Sequence, residues 1–172
     1  LQRLPVVREF TAPNGDHLFD FGQNLTGWVE VEIYGDKGQQ LTLRHAESLD
    51  ENGNFYTENL SYAKATDTYI LGGGKQILHP HFTWHGFRYL CVQGLAYGQN
   101  VQFTACHLST DLQQTGHFTC SDARVNRLQQ NIRWSQRDNF LDIPTDCPQR
   151  SERLGWTGDV TAFCPTAAFN EN

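Results

Sequence analysis

Fourteen residues between Asp146 and Asp159, DCPQRSERLGWTGD, gather three acids (Asp146, Glu152, Asp159), two arginines (Arg150, Arg153) and Trp156. That mixture suits a sugar. Carboxylates and guanidinium groups hydrogen-bond neighbouring hydroxyls in pairs, and an indole face covers the apolar side of a pyranose ring. Cleavage of a glycosidic bond further needs a protonated carboxylic acid beside the leaving oxygen and a second carboxylate opposite it. The segment can supply the first of these, although mixed acids and arginines also build solvated surface networks that do no chemistry. Pro144, Pro148, Gly155 and Gly158 break regular structure over residues 140–158, so a long structured loop is expected, and long loops inside compact domains are usually functional.

Other chemistry-bearing groups read as structural. His79, His81 and His85 in HPHFTWH lack an accompanying carboxylate spacing, so no metal is assigned to them. Asp50-Glu51-Asn52-Gly53 opens like a calcium loop, but its glycine stands fourth rather than sixth and Ser61 occupies the twelfth place, which makes it a turn. Cys147 reads as a packing residue. Phe82, Trp84, Phe87 and Tyr89 could form a carbohydrate platform, but alternating aromatics more often fill a core.

The elements that hold the loop change character along the chain. Up to about residue 110, short runs alternate with period two: WVEVEI (28–33), QLTLRHA (40–46), TDTYIL (66–71), GFRYLCVQG (86–94) and NVQFTACHL (100–108). Turn chemistry at Asn14-Gly15, Gly35-Asp36, Asn52-Gly53 and Gly72-Gly73-Gly74 separates them, so the expected fold is mainly β, an antiparallel β-sandwich. After Gln113 the period shifts. Ser121-Asp122 makes a helix start, and Val125, Leu128 and Ile132 predict an amphipathic helix to about Asn139. A further helix is expected from Asp159, with Pro165 either kinking it or marking its first turn. The expected domains are residues 1–113 and 114–172.

Several ordered motifs together resemble the bacterial α-L-rhamnosidases of glycoside hydrolase family 78. They are DCPQRSERLGWTGD, the preceding GHFTCSDARVNRLQQNIRWSQRDNFLDIPT, and FDFGQNLTGWVEVEI, LTLRHAESLDENGNFYTENL, AKATDTYILGGG and FTWHGFRYLCVQG in the β region. The resemblance implies a β-sandwich followed by the first helices of an incomplete (α/α)6 barrel, and hydrolysis of terminal α-L-rhamnose with inversion. It further implies Glu152 as general acid, with Asp146, Arg150, Trp156 and Asp159 binding the sugar. The family's general base, a downstream Glu, has no counterpart in this chain, which is therefore expected to be inactive by itself. Because an ionised state is favoured beside a guanidinium, whereas a proton donor must hold its proton, at least one of Arg150 and Arg153 is expected to face Asp146 or Asp159. That would leave Glu152 shielded against Trp156. The rival reading is a non-catalytic sugar-binding or scaffolding sandwich.

Composition narrows the partners. A formal net charge of -6 without a run of Lys or Arg argues against nucleic acid and anionic membranes, and no stretch of about 18 apolar residues could span a bilayer. The expected partner is a small rhamnose-containing glycoside or oligosaccharide; no cofactor is implied. The lack of any Met, even at position 1, points to a piece of a longer product. Five cysteines without a CxxC pair indicate free thiols and favour a reducing compartment such as the cytoplasm.

Overall fold

The structure, a computed structural model, describes residues 2–172, which form two compact units. One comprises the residues up to His107 together with Gln149–Ser151; the other comprises Leu108–Pro148 and Glu152–Asn172.

The first unit is an antiparallel β-sandwich. Its strands are β1 (Gln2–Pro5), β2 (Arg8–Thr11), β3 (His17–Gly35), β4 (Gln40–Ala46), β5 (Ser48–Leu49), β6 (Phe55–Tyr56), β7 (Thr66–Ile70), β8 (Gly74–Leu78), β9 (His85–Gln93) and β10 (Val101–His107). The 19-residue β3 is the central strand of the sheet, paired with β2, β8, β9 and β10. Its first part pairs with β2 and β9, and its last part with β10 and β8, with a register shift against β9 between Asp20 and Leu25. Gly22 sits in that irregularity at φ 77°, a left-handed conformation that L side chains avoid, and β3 pairs with β9 again from Leu25. Strands β4 and β7 extend the sheet beyond β9.

Alternation places Leu41 and Leu43 of β4 and Val29, Val31 and Ile33 of β3 in the interior, and Phe87 and Leu90 of β9 are buried with them. Phe19 and Phe103 meet with ring centroids 4.7 Å apart, and Phe21 meets Phe87 edge-on at 5.7 Å. Core packing therefore accounts for Phe87 but not for the other three aromatics grouped with it. Phe82 is fully exposed and Trp84 half-buried in the irregular stretch before β9, and Tyr89 is half-buried within β9.

A bidentate pair anchors the irregularity in β3. Arg88 donates from Nε and Nη2 to the two carboxylate oxygens of Asp20, each at 2.8 Å, and the Gly22 N–H donates to Asp20 Oδ1 at 2.6 Å. Burial pushes the Asp20 carboxyl up, but the Arg88 and Gly22 donors outweigh it and hold the group below its ordinary value. A carboxyl depressed in the folded state binds fewer protons there than in the unfolded chain, so its stabilising contribution is present above the unfolded pKa and disappears as pH falls through the folded one. The expected result is that Asp20→Asn lowers the urea midpoint of the sandwich at neutral pH, and that the gap from the unsubstituted chain closes below about pH 4. A gap that persisted unchanged in acid would remove Asp20 from this role.

Three polar side chains lie deep in the sandwich. His45 stacks on His85 with ring centroids 4.2 Å apart, and His85 Nε2 lies 3.0 Å from Asp67 Oδ1. Burial, then the charge of His85, pushes the His45 imidazole down to about 3.

The second unit contains α1 (Ala123–Asn139), the short hairpin of β11 (Phe140–Leu141) and β12 (Ile143–Pro144), and α2 (Thr157–Asn170). Asp122 caps α1 by accepting the Arg124 N–H, as its place before the helix predicts. The apolar stripe of this amphipathic helix is largely in solvent: Val125 is 40% and Leu128 56% exposed. The buried residues of α1 are instead Gln136 and Asp138. Polar links tie it to α2: Gln129 and Gln136 both bond the Asn170 amide at 2.9 Å, and Arg137 Nε donates to the buried Glu171 at 2.7 Å. Helix α2 starts at Thr157, two residues before the expected start, and Pro165 lies inside it rather than in its first turn. Neither helix is long and apolar enough to cross a membrane.

Candidate active site

Residues 145–156 leave β12 and reach α2 without regular structure. The loop is nonetheless fastened at its ends. Thr145 N–H donates to Asn139 O at 2.8 Å, and Asp146 N–H donates to Leu154 O at 3.1 Å. The Leu154 N–H returns to Asp146 Oδ1 at 3.0 Å, so one residue closes the loop through both backbone and side chain. Cys147, buried, donates its thiol to Asp146 Oδ2 at 3.3 Å. Burial pushes the Asp146 carboxyl up, yet the Leu154 and Cys147 donors outweigh it and the net shift is downward. Asp146 is thus an ionised acceptor with lone pairs left for a ligand hydroxyl.

The closed loop carries Glu152 back toward Asp146. Among Asp146, Cys147 and Glu152, one carboxylate oxygen or sulfur from each lies within 4.8 Å of the others. Glu152 is exposed rather than shielded as expected. Arg153 takes φ 50°, a left-handed backbone, and is half-buried, with burial pulling its guanidinium below its ordinary value. Arg150 is exposed and belongs to the first unit.

Trp156 stands at the residue before α2, without a side-chain capping bond, and presents an indole 49% exposed. Asp159 follows in the first turn, where its charge also complements the N-terminal end of the helix dipole. Asp146 and Asp159 line one cleft of about 290 Å³ in the second unit, whose walls include Asn139, Thr145, Phe140 and Phe163. The rings of Phe140 and Phe163 meet edge-on at 6.2 Å. Of the five residues expected to act, the structure therefore brings Asp146 to Glu152 and to Asp159, while Glu152, Arg150 and Trp156 lie outside the cleft lining. No local pattern connects the two rings of this aromatic wall, since Phe140 begins β11 and Phe163 lies within α2.

Comparison with known proteins agrees along the chain. Residues 10–109 match the bacterial alpha-L-rhamnosidase concanavalin-like domain, and residues 113–172 match the bacterial alpha-L-rhamnosidase 6 hairpin glycosidase domain. An alpha-L-rhamnosidase of Streptomyces avermitilis is 46% identical over 171 residues, 98% of this chain and 16% of that protein. The crystal structure of Streptomyces avermitilis alpha-L-rhamnosidase complexed with L-rhamnose superposes with a TM-score of 0.93 at 43% identity, covering 99% of this chain and 17% of that one. Native alfa-L-rhamnosidase from Aspergillus terreus gives a TM-score of 0.95 at 44% identity over 99% of this chain and 20% of its own. The chain thus spans a fifth or less of these relatives. With matched domains in the same order as the sandwich and the helical segment, the chain belongs to the bacterial alpha-L-rhamnosidase family.

Proposed function

We propose that this chain is the proton-donor part of an inverting α-L-rhamnosidase acting on terminal α-L-rhamnose. Glu152 protonates the glycosidic oxygen as the bond to the anomeric carbon breaks. Asp146 and Asp159 accept hydrogen bonds from the sugar hydroxyls, Arg150 donates to them, and the Trp156 indole covers the apolar face of the ring. The observation that carries this reading is the loop closed by Asp146 and Leu154, which holds the Glu152 carboxylate near an ionised Asp146 in a chain that superposes on a rhamnose-bound relative.

Inversion also needs a general base about 6.5 to 9.5 Å from the acid, with a water between them. No residue of the 172 is assigned that role, and the base is proposed to lie outside them. The expected outcome is therefore divided: the full-length protein hydrolyses an aryl α-L-rhamnoside and releases β-L-rhamnose first, as followed by proton NMR, whereas the isolated 172-residue chain shows no turnover. Release of α-L-rhamnose first, or clear turnover by the isolated chain, would overturn the assignment.

A further inference from the structure

We propose that His45, Asp67 and His85 form a buried site for a divalent transition metal of the zinc type inside the β-sandwich, separate from the loop carrying Glu152. The three residues come from β4, the start of β7 and the start of β9, and all three are buried. A nitrogen from each imidazole and an oxygen from the carboxylate lie within 4.8 Å of one another.

Hydrogen-bond accounting supports a cation there. His45 Nδ1 lies 3.1 Å from the Ala65 carbonyl oxygen, which can only accept, so Nδ1 carries the hydrogen and Nε2 bears a lone pair. That lone pair faces Asp67 Oδ2 at 3.9 Å, another acceptor. Neither atom has a hydrogen-bond partner, and His85 Nδ1 and the Tyr69 hydroxyl are also buried without one. Two acceptors turned toward each other in a dry interior repel unless something positive stands between them. A metal with bonds of about 2.0 to 2.2 Å to nitrogen and oxygen can link atoms at this separation after small ring movements.

The surroundings have the form of a ligand set. The Ala65 carbonyl orients His45 through its other nitrogen, as outer partners of metal-bound imidazoles do. Two imidazoles and one carboxylate favour zinc-class ions over magnesium or calcium, which prefer all-oxygen shells. Tyr69 follows Asp67 by two residues on the same face of β7, so its hydroxyl is available to a fourth ligand such as water. None of these groups is used by the proposed rhamnosidase chemistry.

The test is calorimetric titration of zinc into the chelator-treated 172-residue chain, with cobalt(II) absorption as a second readout. One zinc should bind, magnesium and calcium should not compete, and cobalt should give a visible ligand-field spectrum without a thiolate charge-transfer band. His45→Asn and Asp67→Asn should each weaken binding by roughly 100-fold or more, whereas the double variant His79→Ala/His81→Ala, which alters other histidines of the same unit, should bind normally. Circular dichroism identifies any variant that fails to fold, and the unsubstituted chain and the His79/His81 variant then decide the matter. No stoichiometric binding, binding lost with His79 and His81, or a thiolate band pointing to Cys147 would each overturn the site. None of these outcomes depends on rhamnosidase activity.

Discussion

Replacing Glu152 with Gln in the full-length protein should lower kcat/KM on a rhamnoside with an alkyl or sugar aglycone by about 10²- to 10⁴-fold, the usual contribution of a positioned proton donor. An amide matches the size of the carboxyl but has no acidic proton to transfer. The leaving oxygen must then depart as an alkoxide, which water protonates too slowly to assist. With a strongly acidic phenol as leaving group, protonation is scarcely needed, so the same substitution should cost far less. Comparable losses on both substrates would mean that Glu152 shapes or binds rather than donates, and no loss on either would discard it. Asp146→Asn should behave differently: Asp146 is the acceptor in the loop closure and, as proposed, for sugar hydroxyls, so its loss should affect both substrates alike.

Phe87→Ala should remove about 3 to 5 kcal/mol from the stability of the sandwich. The ring is completely buried on β9, meets Phe21 edge-on, and lies 4.9 Å from the His45 ring. Removing it leaves a cavity among strands that are hydrogen-bonded on both sides and cannot close over the gap. Since small domains are stable by only about 5 to 15 kcal/mol, such a loss would bring the unit close to unfolding. Phe82→Ala provides the control. Its ring is fully exposed, and its removal should change stability by no more than about 0.5 kcal/mol. Urea unfolding of the two variants, followed by tryptophan fluorescence, measures both; equal midpoints would contradict the placement of these rings.

Some of this was legible before any coordinates. Strand β4 falls on the predicted run 40–46, and β7, β9 and β10 lie within a residue or two of theirs, because runs of β-branched and aromatic residues bounded by turn residues are a local property of the chain. Helix α1 follows its Asp122 cap for the same reason: a side chain two residues from an unpaired N–H is a local interaction. The acids, arginines and tryptophan of the loop were recognisable by type and order.

What only the tertiary structure decided is how distant residues combine. The run WVEVEI predicts a strand over 28–33, whereas β3 extends from His17 to Gly35, since its first part is held by β2 and β9 from other regions of the chain. Phe82 and Phe87 are alike as sequence; the start of β9 at His85 puts one in water and the other in the core. In sequence His85 stands with His79 and His81, but the fold pairs it with His45 and Asp67 from other strands. In the loop, composition named the acids but not their relation. Asp146 lies near Glu152 because the Leu154 amide closes the turn, and near Asp159 because α2 begins at Thr157. Periodicity and capping act within a few residues and can be read along a chain, whereas burial and ligand geometry depend on which strands and turns meet in space, which no local pattern records.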